Sequence, residues 1–301
     1  MEFLLIFNES LLPLFFIIGT AFFYNKFFKP NIKQITEMTL TMFAPIFVFE
    51  SMLKHNIQLE NLGKPFLFMV ILTSLLILSA LILVKIFKFP EDTKTPFILS
   101  VSMINVGNFG LPLIYFTYGQ EAVTYSVIYF ITFNISLSTI AIYLSSNKTK
   151  VIEILKDVAS IPLFHAFVLG LIFSYFGVRI PGSINKSLVL LSQAAIPLLI
   201  FILGLQLANI KFQSSFFSII LVAVACRLML SPAISYFGLS ILGVTGLESK
   251  VAIIQTSGPS AILPLMYAIK FNRRPDLIAA IIFFTTIFSG ISLTILIKLI
   301  N

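Results

Sequence analysis

Ten apolar runs of about 20 residues, separated by short polar stretches, constrain this chain more than any other feature. They lie near 4–23, 34–53, 66–87, 95–117, 122–145, 160–178, 186–208, 214–238, 249–270 and 276–299. A helix needs about 20 mostly apolar residues to cross the hydrocarbon of a bilayer. The runs therefore predict an all-α integral membrane fold of ten transmembrane helices. Only 11% of the residues are charged, and 58% are hydrophobic. Soluble domains carry about 25% charged residues, so a water-soluble fold is excluded and lipid is the natural solvent. The second run is the weakest, because Gln34, Glu37, Thr39 and Thr41 make its start polar.

The net charge of +8 comes from lysines and arginines that cap the apolar runs. No basic face interleaved with aromatics appears, so nucleic acid is not an expected partner. Loops 1–2, 3–4, 5–6, 7–8 and 9–10 hold thirteen Lys and Arg, and the opposite side holds six. Positive loops stay cytoplasmic. The expected setting is therefore the inner (plasma) membrane, with both termini outside. Cys226 is the single cysteine and lies in an apolar run, so no intrachain disulfide is possible. The first run follows Glu2, with no basic n-region and no A-x-A site after it, and is expected to be a retained helix.

The chain repeats itself. Pro45 and Pro197 are 152 residues apart, and so are Pro112 and Pro264. Leu111/Leu263, Leu113/Leu265 and Tyr115/Tyr267 match in the same register. Two five-span units, 1–150 and 151–301, are expected. Five is odd, so the second unit starts on the other side of the membrane and the copies are inverted. Inverted repeats around interrupted helices are a recurring plan of secondary transporters, with the site near the midplane. Duplication also builds channels and passive scaffolds.

The interruptions fall at matching places. Span 4 reads SMINVGNFGLPLIYF, crowding Asn105, Gly107, Asn108, Gly110 and Pro112 into mid-span. Span 9 reads IIQTSGPSAILPLMY, with Ser257, Gly258, Pro259, Ser260 and Pro264. Glycine and interior proline weaken a helix by about 1 and 3 kcal/mol. Irregular backbone at membrane depth survives only inside protein or beside a water-filled cavity. Half-helix N-termini at such breaks offer N–H donors and partial positive charge. These ten residues are the expected substrate-binding set, suited to a carboxylate or similar anion. One kinked helix alone reads as packing; two at matching positions favour a site.

NVGNFGLPLIYFTYG resembles the helix-4 signature of the auxin efflux carrier family, which includes bacterial malonate-type carriers. AAIPLLIFILGLQL and CRLMLSP resemble the same family, and the likeness runs over essentially the whole chain. The resemblance implies two subdomains. Helices 1, 2, 6 and 7 would form a scaffold and the contact of a homodimer. Helices 3–5 and 8–10 would form a moving transport part, working as an elevator. The chain departs from many relatives by having Leu263 or Pro264 where they carry an asparagine. Its loop between spans 5 and 6 is short, as in the bacterial proteins.

Arg227 sits inside span 8. Ionisable residues there are costly and usually paired or functional. It either draws anions inward or locks span 8 to a neighbour. Glu50, following the scaffold proline Pro45, either carries a coupling proton or ends span 2 beside Lys54. Pro197 is its scaffold counterpart, flanked by Gln193 and Gln206. Glu121 suits the positive end of span 5. His55 falls in a loop, and His165, inside span 6, reads as packing. The expected function is secondary transport of a small organic anion such as a mono- or dicarboxylate, in the efflux direction. The alternative is a sodium-coupled importer on the bile-acid symporter plan, which would want an added oxygen cluster. HExxH, GxSG, GxGD and a nucleotide-binding loop are absent, so neither an enzyme nor an ATP-driven pump is expected. No cofactor or metal is expected. The partners are the bilayer, the anion and a coupling proton or sodium.

Overall fold

The computed structural model describes residues 2–54, 62–146, 161–210, 216–270 and 273–301. Twelve helices account for nearly all of them. In chain order they are α1 Glu2–Phe28, α2 32–54, α3 Gly63–Ile86, α4 Glu91–Ser102, α5 106–118 and α6 Gln120–Ser146. Then come α7 Pro162–Tyr175, α8 Gly182–Leu207, α9 Phe217–Ile241, α10 Gly246–Thr256, α11 Leu263–Lys270 and α12 Pro275–Ile300. Among the described residues the only β pairing is one isolated antiparallel bridge.

Five helices, α1, α3, α8, α9 and α12, are long and apolar enough to cross a membrane, and α7 is a shorter apolar helix. Their outward faces carry large apolar side chains, among them Phe16, Phe27, Leu190 and Ile241. In water this surface would be costly; in lipid it costs nothing. His165 is among the exposed residues of α7, beside Phe164 and away from the interior. His55 and the loop between spans 5 and 6 lie outside the described residues.

Proline sets a local pattern that recurs four times. Wide π-turns run Phe7–Leu11, Thr39–Phe43, Val106–Gly110 and Cys226–Leu230. Each ends two residues before a proline: Pro13, Pro45, Pro112 and Pro232. A proline ring clashes with the carbonyl four residues back and offers that carbonyl no N–H. Widening the preceding turn moves the carbonyl aside without ending the helix. In the second turn Thr39 and Thr41 donate their hydroxyls to Ile35 O and Glu37 O, 2.8 and 2.7 Å away. Such bonds from a hydroxyl to the carbonyl four residues back add a second donor to the turn that precedes the widening.

Two packing neighbourhoods stand out, joined where α1 packs on α5 and α12 and where α8 packs on α5. In the first, α1 lies on α8 and α2 lies on α7 and on the start of α8. Gly204 of α8 sits directly under the α1 backbone, and Gly170 of α7 sits under Met52. In the second, α3 packs on α4, α6 and α9, and α12 packs on α4, α9 and α11. A buried apolar cluster with Ala80, Phe97, Ala223 and Ile281 joins α3, α4, α9 and α12.

Polar ties close the ends of helices. Asn25 donates from Nδ2 to Leu205 O (3.1 Å) and to Asn209 Oδ1 (2.9 Å), and Lys26 Nζ donates to Ala208 O (2.8 Å). The last turn of α1 thereby caps the orphan carbonyls of α8. Losing one buried partner costs about 1–3 kcal/mol. Asn25→Ala should accordingly lower the thermal unfolding midpoint of the purified protein, while Lys26→Met, at a more exposed bond, should lower it less. At the starts of α4 and α12, Arg274 spans Asp92 (2.8 Å) and Asp276 (3.1 Å) and lies 4.1 Å over the Phe216 ring.

Candidate functional site

The α4–α5 and α10–α11 pairs are each one apolar run divided in two. Helix α4 ends at Ser102, and Met103 turns to extended backbone (φ −96°, ψ 118°). Asn105 has φ −82° and ψ 65°, and α5 opens at Val106 with its π-turn. Helix α10 ends at Thr256, and the chain stays non-helical until Leu263. The two gaps meet. Asn105 N donates to Pro259 O and Ala261 N donates to Met103 O, both at 2.9 Å. Between them Ile104 pairs with Ser260 in the antiparallel bridge. Backbone groups unpaired by the breaks therefore satisfy one another, as burial requires.

Side chains fasten the crossing. Gln255 donates from Nε2 to Val106 O and to Ser126 O, both at 3.0 Å. Ser260 Oγ donates to Ser100 O (2.6 Å), and Ser260 N donates to Thr285 Oγ1 (3.2 Å). Ser231 Oγ donates to Thr256 O (2.8 Å). Arg227, fully buried, donates from Nε to Gly258 O (3.0 Å), from Nη1 to Val101 O (3.2 Å) and from Nη2 to Thr256 O. These bonds tie its helix to α4 and to the end of α10.

Glycine at the crossing is a matter of space. A β-carbon at Gly107 would lie 2.6 Å from the Phe130 ring, and one at Gly110 2.8 Å from Gln255 Cγ. At Gly258 the nearest atom, Gln255 O, would be at an ordinary 3.4 Å. Alanine should therefore impair function at positions 107 and 110 much more than at 258, measured as uptake per folded carrier.

Four buried polar atoms at the crossing have no hydrogen-bond partner in the chain: Asn105 Nδ2, a donor, Gln255 Oε1, an acceptor, and the hydroxyls of Ser100 and Ser126. Buried polar groups are nearly always paired, so such atoms mark places where a ligand or water belongs. Asn108, within the π-turn, is half-buried. Pro112 and Pro264 occupy the second position of Leu111–Tyr118 and of α11 respectively. The expected set Asn105, Gly107, Gly110, Ser257, Gly258, Pro259 and Ser260 is thus gathered in one place, with Asn108, Pro112 and Pro264 in the adjoining turns.

Glu50 belongs elsewhere. It is buried, with an interaction of its own, and lines a cavity of about 550 Å³ one to two turns further along α5. Tyr115, Phe116 and Gln120 share this cavity with Phe47, Ser192, Gln193 and Pro197 from α2 and α8. Glu121 opens α6 as an exposed acidic residue in the first turn, where it suits the helix dipole. Sequence reasoning missed Thr285, Ser100 and Ser231 as parts of the crossing and counted Gln255 in the span-9 break without placing it in the binding set. Their signal was present: hydroxyl and amide side chains spaced through otherwise apolar runs. Among the described residues no group of three His, Cys, Asp or Glu is placed to hold a metal.

An all-helical membrane protein whose interrupted helices cross in the interior is built as a transporter, not as an enzyme. The chain belongs to the membrane transport protein family, whose sequence model matches residues 6–297. It is 28% identical over 280 residues to an uncharacterized transporter of Methanocaldococcus jannaschii, covering 89% of this chain and 90% of that one. It is 30% identical over 196 residues to a second uncharacterized transporter, from Methanothermobacter thermautotrophicus, covering 65% and 64%. Auxin efflux carrier component 1 of Arabidopsis thaliana matches at 30% over 116 residues, 38% of this chain and 19% of that protein. The likeness to auxin efflux carriers read from the motifs is borne out, and the protein is a multi-pass membrane transporter.

Proposed function

We propose that this protein is a secondary carrier of a small organic anion, a mono- or dicarboxylate of the malonate type, that works in the efflux direction. The observation that carries the reading is the crossing itself. It joins two matched breaks, and the orphan donor Asn105 Nδ2 sits between them. The N-terminal ends of α5 and α11 begin just beyond the bridge, and helix N-termini favour negative charge. A carboxylate can accept from Asn105 Nδ2 and from free N–H groups of the first turns without a buried lysine.

In this reading the chain has ten spans in two inverted units, 1–150 and 151–301. The matched proline pairs and the matched breaks support that plan. Helices α1, α2, α7 and α8 form the scaffold, through which two copies pair. Helices α3–α6 and α9–α12 form the part that carries the site across the membrane as an elevator. The close packing of α1 on α8 and of α2 on α7, and of α3 and α12 on α4 and α9, supports it. The cavity lined by Glu50 lies between scaffold helices and α5, on the path an anion would follow in this reading, and Glu50 is the residue we assign to the coupling proton. The charge bias of the loops supports a plasma-membrane carrier with both termini outside.

Thermal-shift screening of the purified protein with mono- and dicarboxylates identifies the anion, and counterflow in proteoliposomes tests the site. Asn105→Ala and Asn108→Ala should each reduce counterflow at least tenfold while inserting normally, since one lost charge-assisted hydrogen bond is worth about 1.5–3 kcal/mol, and Pro264→Ala should also impair it, by loosening the first turn of α11 that proline pre-sets. Normal counterflow by all three would remove the crossing from the binding site.

A further inference from the structure

Arg227 is the largest fully buried side chain among the described residues. Among the described residues no carboxylate lies within ion-pair distance of it. Its donors end instead on main-chain oxygens: Val101 O, Thr256 O and Gly258 O. Val101 lies in the last turn of α4, and Thr256 is the last residue of α10. Gly258 lies in the gap beyond α10. Val101 O and Thr256 O are orphan carbonyls at the negative ends of two helix dipoles, and Gly258 O is an unwound carbonyl beside them. Burying a cation is tolerable only where it is fully hydrogen-bonded or matched by negative charge. Here two converging helix C-termini supply that match.

Unwound carbonyls and half-helix C-termini are the groups with which carriers built on broken helices hold a coupling sodium. In this chain the same kind of oxygens are occupied by a side chain. We propose that Arg227 is a resident cation: a positioning residue whose tethered charge does permanently what a bound alkali ion does in a sodium-coupled carrier. This rests on the reading of the crossing as the carrier's site. It follows that the crossing is assembled without sodium. It follows also that removing the guanidinium creates a latent site for a small monovalent cation, lined by Val101 O, Thr256 O, Gly258 O and the Ser231 hydroxyl.

The test needs no substrate, so its failure is separate from failure of the anion assignment. Purified full-length protein in lipid nanodiscs is unfolded thermally in choline chloride and in sodium chloride at equal ionic strength. A second comparison adds guanidinium chloride at low millimolar concentration. Choline is too large for the hole and serves as the reference. The wild-type midpoint should be the same in sodium and in choline. Arg227→Ala should be lower by several degrees in choline and recover saturably with sodium or with guanidinium. Arg227→Lys, which keeps the charge, should be indifferent to sodium. A purely structural role would lower the Arg227→Ala midpoint equally in every salt, and that outcome overturns the proposal. So does a sodium-specific rise for the wild type. Should Arg227→Ala yield no folded protein in either salt, the decision falls to Arg227→Lys and the wild type, and sodium dependence in either overturns it.

Discussion

Gly204→Ala is expected to lower the thermal unfolding midpoint of this protein more than an added methyl at any other helical glycine. The new β-carbon would fall 2.3 Å from Ile18 O and 2.6 Å from Ala21 Cβ. Neither is the loose end of a side chain. The α1 and α8 backbones would have to separate by about 1 Å, which breaks the dispersion contacts along the whole seam. Overpacking in a well-packed interior costs about 1–3 kcal/mol and at times more. The seam also holds the Asn25 and Lys26 bonds to the α8 terminus, which depend on the same spacing. Gly19→Ala is the control, since its β-carbon meets nothing within 4 Å. Equal midpoints for the two variants, scanned in the same nanodiscs, would show that α1 and α8 do not touch as described.

The second large effect is at Gln255. Its amide nitrogen is the shared donor for Val106 O and Ser126 O, tying α10 to α5 and to α6 at once. Leucine keeps the volume and removes the donor, at a cost of about 0.5–1.5 kcal/mol for each hydrogen bond lost. Glutamate is worse. It has no donor when ionised, places a charge against two carbonyl oxygens, and is buried without a cation to match it. The expected order of stability is wild type, then Gln255→Leu, then Gln255→Glu at neutral pH. The glutamate variant should regain stability as pH falls and the carboxyl becomes a donor. Its folded-state carboxyl is held protonated above the unfolded value, so this stability is present at low pH and lost as pH rises. A pH series of unfolding midpoints on both variants decides the matter; a pH-independent gap between them would contradict the bonding described.

Much of the arrangement was legible in the residues. Gly, Asn and Pro crowded into mid-span at two matched positions could hardly remain regular helix, and both spans do break there. The location of the break was harder. The crowd from Asn105 to Pro112 suggested that the chain parts around Asn108, yet it leaves the helix at Met103, upstream of that, and Pro112 sits within regular α-helix. The reason is that a wide turn absorbs the proline, while the true gap is fixed by pairing with Pro259 and Ala261, a contact between distant parts of the chain. Arg227 was legible as unusual but not in its partners. Main-chain oxygens have no signature in a sequence, so a cation held only by carbonyls looks unpaired. Glu50 and the binding residues were both flagged, but their separation into a cavity and a crossing depends on which helix faces which.

The four wide turns carry a consequence beyond relieving a steric clash. An α-helix advances about 100° per residue around its axis, and a π-turn admits one residue more than the regular spiral would. Everything downstream is rotated by that amount relative to what an unbroken count predicts. Along α5 the shift settles which side chains look into the chamber shared with α2 and α8, so that Tyr115 and Phe116 line it. A proline in this chain thus acts as an angular setting for the half of the helix that follows it, and a helical wheel drawn straight through Pro13, Pro45, Pro112 or Pro232 would point the wrong residues at the interior.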